Sequence, residues 1–383
     1  MKTFHKSMGA LALALAFAPG AALAGGQLYL LSNNAPHWPD ASFPVQYSIN
    51  PGTAVGQIDG VDPAAQFEAA VEAAFQTWED VPTSRITFQR GADSAALLNP
   101  AGAGENLMVF NSSAIVQGIP IPLPPGALAV TNTFFNAGNG EISQGAITFN
   151  TDPDPGHPNP DYSTTGAPGS FDVQAIHLHE AGHFQGMSHS NVRNDAFGDL
   201  VGGPSNAAVM FPFLSPDPLD GRTPDVDDLA WHGFIYPSAT YSANYGFIQG
   251  DALIGSSLNG CSPVLGINGG HIVARDLTDL VGGEARMISG TYSYTVDGPG
   301  RYTIPVPPGT YQVWAEPLDG TPVAALQINT RIQFTIDTAF PEDWYGGAGE
   351  TGSEPSPNDP GTAVNVVVNA GATTTGIDII INK

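Results

Sequence analysis

The chain has 383 residues, with 11 Lys plus Arg against 36 Asp plus Glu and a formal net charge of −25. Phosphate binding needs clustered cations, so this balance excludes nucleic acid as a partner and argues against a polybasic membrane-surface protein. A hydrophobic fraction of 42% supports a packed core, and a single Cys excludes an intramolecular disulfide framework.

Length alone, at roughly 150 residues per domain, suggests two domains. Residues 1–24 read as a secretory signal peptide. Lys2 and Lys6 precede the short apolar stretch Leu11 to Ala18, and Ala22-Leu23-Ala24 forms a small-x-small cleavage site. The expected mature protein starts near Gly25, is secreted, and keeps Lys383 as its only lysine. No later run reaches the ~18 apolar residues of a membrane helix, so no membrane span is expected.

Val45, Tyr47 and Ile49 alternate as in a strand. Asp62-Pro63 has the form of an N-cap followed by Pro at the first helical position. Phe67, Val71, Phe75 and Trp78 then recur at helical spacing, which predicts a helix over 63–80. The runs RITFQR, ENLMVF (105–110), GALAVT (126–131) and GAITFN (145–150) read as further strands, and 151–170 as a loop. A second helix is expected over 171–185, closed by Gly186, then a long loop over 191–206. A third helix should start at Thr223-Pro224 and continue to Ile235. Beyond Tyr236-Pro237 the pattern changes to short alternating runs split by Gly and Pro: RYTIPV, TYQVWA, ALQINT, IQFTID, AVNVVV and GIDIII. That is the pattern of an all-β sandwich. The acidic stretch 341–361 reads as a loop.

The chemistry lies in His179-Glu180-Ala181-Gly182-His183-Phe184-Gln185-Gly186-Met187-Ser188-His189, which fits H-E-x-x-H-x-x-G-x-x-H without a gap. His179 and His183 are i and i+4 on one helix face, so both imidazoles reach one metal. Gly186 can take positive φ and turn the chain back, which brings His189 to the same ion. Three neutral His ligands leave a tetrahedral position open, as in catalytic zinc sites. Glu180 follows a ligand by one residue and points away from direct ligation. It is placed to take a proton from the attacking water and return it to a leaving amine. His177 lies outside the motif and reads as a packing or solvent-facing residue.

These residues resemble the metzincin clan of zinc peptidases and, within it, the matrixins. Ser190 after His189 is similar to the matrixin variant, and Ala208-Val209-Met210-Phe211-Pro212 resembles the Met-turn. The resemblance spans about 37–237 and implies an α+β zincin/metzincin catalytic domain, a twisted mixed sheet with three helices. By it, Met210 forms the floor beneath one catalytic zinc ion. Pro212, Phe213 and Leu214 form the outer wall of a substrate pocket, with Leu214 where matrixins usually have Tyr. Asp227 supports the Met-turn, and 126–131 is the edge strand lining the cleft. Protein or peptide substrates would bind there in extended form.

The sequence departs from the family in three ways. It lacks a Pro-Arg-Cys-Gly element, so thiolate latency is not expected. It lacks the His-x-Asp signature of a second, structural zinc. The stretch 191–206 lengthens the segment between the third ligand and the Met-turn. Asp152, Asp154 and Asp161 in one loop, and Asp195 and Asp199 in another, are oxygen clusters of a kind that suits Ca²⁺, with solvated acidic loops the favoured alternative.

Gly300 to Ile304 and Pro307 to Val313, with closing strands over 364–381, resemble the carboxypeptidase regulatory-like β-sandwich. The expected plan is signal peptide 1–24, peptidase 25–237, linker 238–245 and β-sandwich 246–383. His271 reads as a surface or packing residue and Cys261 as a small buried one. A spacer, adhesive or substrate-presenting role is expected of the sandwich. The function expected is that of a monomeric, secreted zinc metalloendopeptidase. Its rival is a non-catalytic adhesion or binding protein that kept the fold, and Glu180 separates the two.

Overall fold

A computed structural model describes residues 36–381, except 117–118, 124–125, 137, 154–161, 168, 191, 193–207, 215–219, 256–262, 282–283, 290–293, 296–297, 319–336 and 351–358. The signal-peptide reading, Cys261, the run ALQINT and all of IQFTID but its final Asp337 lie outside the described residues.

The alternation of Val45, Tyr47 and Ile49 buries all three on one face of β1 (Val45–Ile49). Asp62 caps α1 (Pro63–Glu79), its side chain accepting from the Ala65 amide at 3.2 Å, with Pro63 in the first turn. The predicted apolar positions Phe67, Val71, Phe75 and Trp78 are all buried. Each such side chain contributes about 1.5–3 kcal/mol of burial, which fixes the helix against the sheet. The chain returns as β2 (Phe88–Arg90), parallel to β1. Next come β3 (Leu107–Phe110), the hairpin β4 (Ser113–Val116) and β5 (Ile119–Pro122), then β6 (Ala129–Phe135) and β7 (Ile142–Phe149). The sheet order is β2-β1-β3-β7-β6. The first four are parallel, and β6 runs antiparallel to β7 at the edge. The Pro-rich β4–β5 hairpin was not expected, because Pro demotes a run that would sit inside a sheet. Here the two strands pair only with each other, so the ladder loses little.

A short parallel pair, β8 (Tyr162–Ser163) and β9 (Phe171–Asp172), leads into α2 (Val173–Phe184). Asp172 caps α2 by accepting from the Ala175 amide at 2.7 Å, and Gly186 ends it at φ 92°. A Cβ at Gly186 would stand 1.9 Å from the Pro36 carbonyl oxygen. The third helix, α3 (Val226–Ile235), starts later than the Thr223-Pro224 signal. The reason is a capping box between Asp225 and Asp228, which satisfies donors at both positions. Trp38 closes the far end of α2, its indole N–H donating to the Phe184 carbonyl at 2.8 Å.

After the single-turn helix α4 (Tyr241–Asn244) the described chain is all strand and loop: β10 (Gly246–Gly255), β11 (Pro263–Gly266), β12 (His271–Val281), β13 (Glu284–Ser289), β14 (Tyr294–Thr295), β15 (Gly298–Pro299), β16 (Arg301–Val306), β17 (Gly309–Glu316), β18 (Asp343–Trp344), β19 (Val366–Val368), β20 (Thr373–Thr374) and β21 (Ile379–Ile381). One sheet runs β11-β10-β16, with β20 and β21 also on β10. The other runs β13-β12-β17-β18, with β19 on β17. Ile248, Ile304 and Val306 from the first sheet and Ile272, Ala274 and Val313 from the second share one core. The expected loop over 341–361 is partly a strand, because Trp344 and Tyr345 are buried and β18 pairs with β17.

Two buried clusters organise the described residues. One lies between α1, α2 and the five-stranded sheet, the other between the C-terminal sheets. Helix α3 serves both, with Trp231 and Ile235 in the first and Ala230 in the second.

Candidate metal centre

Helix α2 projects His179 and His183 from one face, and the turn at Gly186 brings His189 back to them. His179 Nε2 lies 2.7 Å and His183 Nε2 2.9 Å from His189 Nε2. The second ring nitrogens are engaged: His179 Nδ1 is 2.6 Å from the Val209 carbonyl oxygen and His183 Nδ1 is 2.9 Å from that of Met187. A carbonyl only accepts, so each Nδ1 carries the proton and each Nε2 presents a lone pair to the centre. Burial also pushes His179 down to about 4 and His183 to about 3, the neutral form that ligates. Three imidazole nitrogens held this close, two of them presenting lone pairs, suit a shared cation, and imidazole nitrogen suits zinc. Among the described residues this triad is the one cluster able to hold a metal.

Glu180 turns towards β6, where the Thr131 hydroxyl lies 2.5 Å from its Oε2. Burial raises the Glu180 carboxyl to about 7, against the pull of Thr131. Ala129, Val130 and Thr131 at the start of this edge strand are only partly buried.

The floor is built from polar groups that bind main chain. A Cβ on Gly182 would stand 2.2 Å from Met210 Sδ, so the helix glycine is what lets the Met-turn approach. Asp228 accepts from the amides of Val209 at 2.7 Å, Met210 at 3.0 Å and Asp225 at 2.8 Å. The expectation named Asp227 for this support. Asp227 instead accepts from the Ser190 hydroxyl, while the Ser190 amide donates to the Met210 carbonyl at 2.7 Å. The reason is helical: consecutive residues point about 100° apart, so the two carboxylates meet different parts of the segment below the triad. Burial and the adjacent Asp227 push Asp228 upward, while its three amide donors pull it down. Arg222 donates to Asp172 from Nε at 2.9 Å and to the Thr164 carbonyl at 2.7 Å, which holds the start of α2.

Phe211 is buried against the turn, Pro212 and Leu214 are half-buried, and Phe213 is 48% exposed. His177 points to the other side of α2. It is fully buried against Phe75 and Phe149, neither nitrogen is hydrogen-bonded, and burial lowers it to about 3. His271 is buried and paired with Glu316 at 2.6 Å. Asp152 is exposed, and Asp154, Asp161, Asp195 and Asp199 lie outside the described residues. Sequence reasoning missed Thr131, Asp228 and Gly182. A glycine inside a helix was the one signal on offer, since it costs about 1 kcal/mol and so points to a close approach.

Two His on a helix and a third brought back by the turn after it, a buried Glu beside them and a partly exposed edge strand form a cluster able to hold a metal. Residues 38–228 match the family model described as Matrixin. That match supports a matrixin-like metzincin catalytic domain over this stretch, of the zinc metallopeptidase kind. No curated protein matches the chain. No helix among the described residues is long and apolar enough to cross a membrane.

Proposed function

We propose that the protein is a secreted endopeptidase that cuts internal peptide bonds, with His179, His183 and His189 holding zinc and Glu180 as general base and acid. The reading rests on one observation above the others: the three His Nε2 atoms converge next to a buried carboxyl raised to about 7. When bound, zinc supplies Lewis acidity, which polarises a carbonyl and favours water as a nucleophile at neutral pH. Glu180 takes the proton from that water and gives it to the leaving amine, a role that suits a group near the working pH. Thr131 holds the Glu180 carboxylate in place. The start of β6 accepts an extended peptide by main-chain hydrogen bonds, and Pro212, Phe213 and Leu214 wall the pocket for the side chain after the cut. Met210 supports the triad from below.

The signal peptide over 1–24, the mature start near Gly25, the domain limits 25–237 and 246–383 and the carboxypeptidase regulatory-like character of the C-terminal sheets belong to this proposal. An adhesion protein would have no use for Glu180, which counts against the rival reading.

The test pairs the chain from Gly25 with Glu180→Ala, measuring zinc content and cleavage of a quenched peptide library. Zinc in both and cleavage only in the unsubstituted protein is expected. Zinc in both and cleavage in neither would overturn the peptidase reading.

A further inference from the structure

The sheet β13-β12-β17-β18 has two faces. Ile272, Ala274, Val313 and Ala315 enter the core between the two C-terminal sheets. Val273, Trp314 and Trp344 are register neighbours and alternate with them, so they lie on the outer face. An outer sheet face is ordinarily polar and wet. This one is dry: Val273 and Trp314 are 2% exposed, Trp344 1% and Met287 3%. Among the described residues, two from outside the sheets pack on this face: Ala363, partly buried, and Val192, 3% exposed and three positions beyond His189. The indoles stack with centroids 4.4 Å apart. Their N–H groups donate to Glu316 at 3.0 Å and Glu342 at 2.8 Å, which fixes the surface that Val192 meets.

Val192 is tied back to the metal centre. Its amide donates to the Ser190 hydroxyl at 3.0 Å, and that hydroxyl donates to Asp227. The Ser190 amide reaches the Met210 carbonyl. Neither His189 nor Ser190 lies in a helix or strand. Segments without regular structure open at the lowest cost, so a ligand on one needs an anchor.

We propose that the Trp314–Trp344 face of the C-terminal sheets is a positioning device for the third metal ligand, with Val192 as its anchor. Holding Val192 steadies Ser190 through the hydroxyl its amide meets, and so sets the neighbouring His189 Nε2 against His179 and His183. The C-terminal strands are then part of the metal centre's support, as distinct from a spacer or adhesive module. The proposal rests on the reading that the triad holds zinc.

The experiment uses the full mature chain. Val192→Ser and Trp344→Ala are compared with Val313→Ala, which removes volume from the opposite face of the same sheet. Zinc affinity is measured by competition with a chromogenic chelator, and hydrogen exchange over 187–192 is followed in metal-free protein. Val192→Ser and Trp344→Ala should weaken zinc binding about 10–100-fold, the usual effect of losing support behind a ligand. Exchange over 187–192 should quicken in both. Val192→Ile should restore affinity, and Val313→Ala should lower the melting temperature with zinc affinity intact. Unchanged affinity in folded Val192→Ser, or an equal loss in Val313→Ala, would overturn the proposal. Val192→Ser decides if Trp344→Ala does not fold. If the unsubstituted chain holds no zinc, the proposed function fails by itself. The exchange comparison then decides the anchoring alone.

Discussion

The Thr131 hydroxyl stands 2.5 Å from Glu180 Oε2 and 2.9 Å from the Glu180 main-chain carbonyl oxygen. A hydroxyl has one proton and two lone pairs, so it suits both states of the carboxyl. With Glu180 ionised, Thr131 donates to the carboxylate. With Glu180 protonated, Thr131 accepts from it and donates to the carbonyl. An apolar residue at 131 would leave the buried carboxyl only the main-chain hydrogen bond of residue 131 to favour its charge.

Thr131→Val keeps the shape and removes the hydroxyl. A hydrogen bond to a charged group contributes about 1.5–3 kcal/mol, so cleavage near neutral pH should fall roughly 10-fold or more. The sign of the pH effect follows from the group. The hydrogen bond lowers the Glu180 pKa, and its loss raises it further above the ordinary value. The acid limb of kcat/KM should therefore move to higher pH, while Thr131→Ser leaves it in place. A pH–rate profile of the three proteins checks this, and an unmoved limb in Thr131→Val would refute it.

His177 makes the fold acid-sensitive from the core. Its ordinary value of 6.5 falls to about 3 in the folded chain through burial alone. Between those values the unfolded chain binds the proton that the folded chain refuses. Stability is therefore complete above about 6.5 and declines as pH falls toward 3, by up to ~1.4 kcal/mol per pH unit. His177→Leu fills similar space among Phe75 and Phe149 and should remove that slope. Denaturant unfolding at pH 7 and pH 5 tests it, and a variant that keeps the full slope would refute the role.

Asp228 and Asp227 divide the support of the turn, so their variants should differ in kind. Asp228→Asn replaces one acceptor oxygen by a donor facing the amides of Val209, Met210 and Asp225. It should destabilise the fold by about 1–3 kcal/mol and weaken zinc binding. Asp227→Asn keeps an acceptor for the Ser190 hydroxyl and removes the charge, and should cost less. Chemical denaturation with zinc titration measures both, and equal losses in the two variants would sink the division.

The motif-bearing half of the site was legible because its spacing is set by one helix. A period of 3.6 places His179 with His183, and a positive-φ glycine follows from the need to turn. The α1 face was legible for the same reason, since Phe67, Val71, Phe75 and Trp78 repeat with that period. What escaped depends on contacts across the chain. Thr131 meets Glu180 from 49 positions away, and Val192 joins a buried cluster with Val273, Met287, Trp314 and Trp344 of the C-terminal strands. Asp227 and Asp228 are adjacent and chemically identical, so only the helix rotation tells which one faces the Met-turn. The start of α3 was misplaced because Thr223-Pro224 and Asp225 both make sound caps, and the reciprocal bond from Asp228 decides between them.

Gly182 carries the last prediction. In a helix interior, Gly→Ala usually stabilises by about 1 kcal/mol. Here the new methyl would stand 2.2 Å from Met210 Sδ and 3.1 Å from its Cε, so the thioether must leave its place. Gly182→Ala should destabilise by roughly 1–3 kcal/mol, as overpacking does, and should loosen zinc through the displaced turn. Met210→Ala alone leaves a cavity beneath the triad and should also destabilise. Combined, the two changes compensate in volume, the added methyl entering space vacated by the sulfur. The double variant should therefore be more stable than the sum of the single effects predicts. A double-mutant cycle in denaturant measures this directly, and simple additivity would mean that Gly182 and Met210 are not coupled.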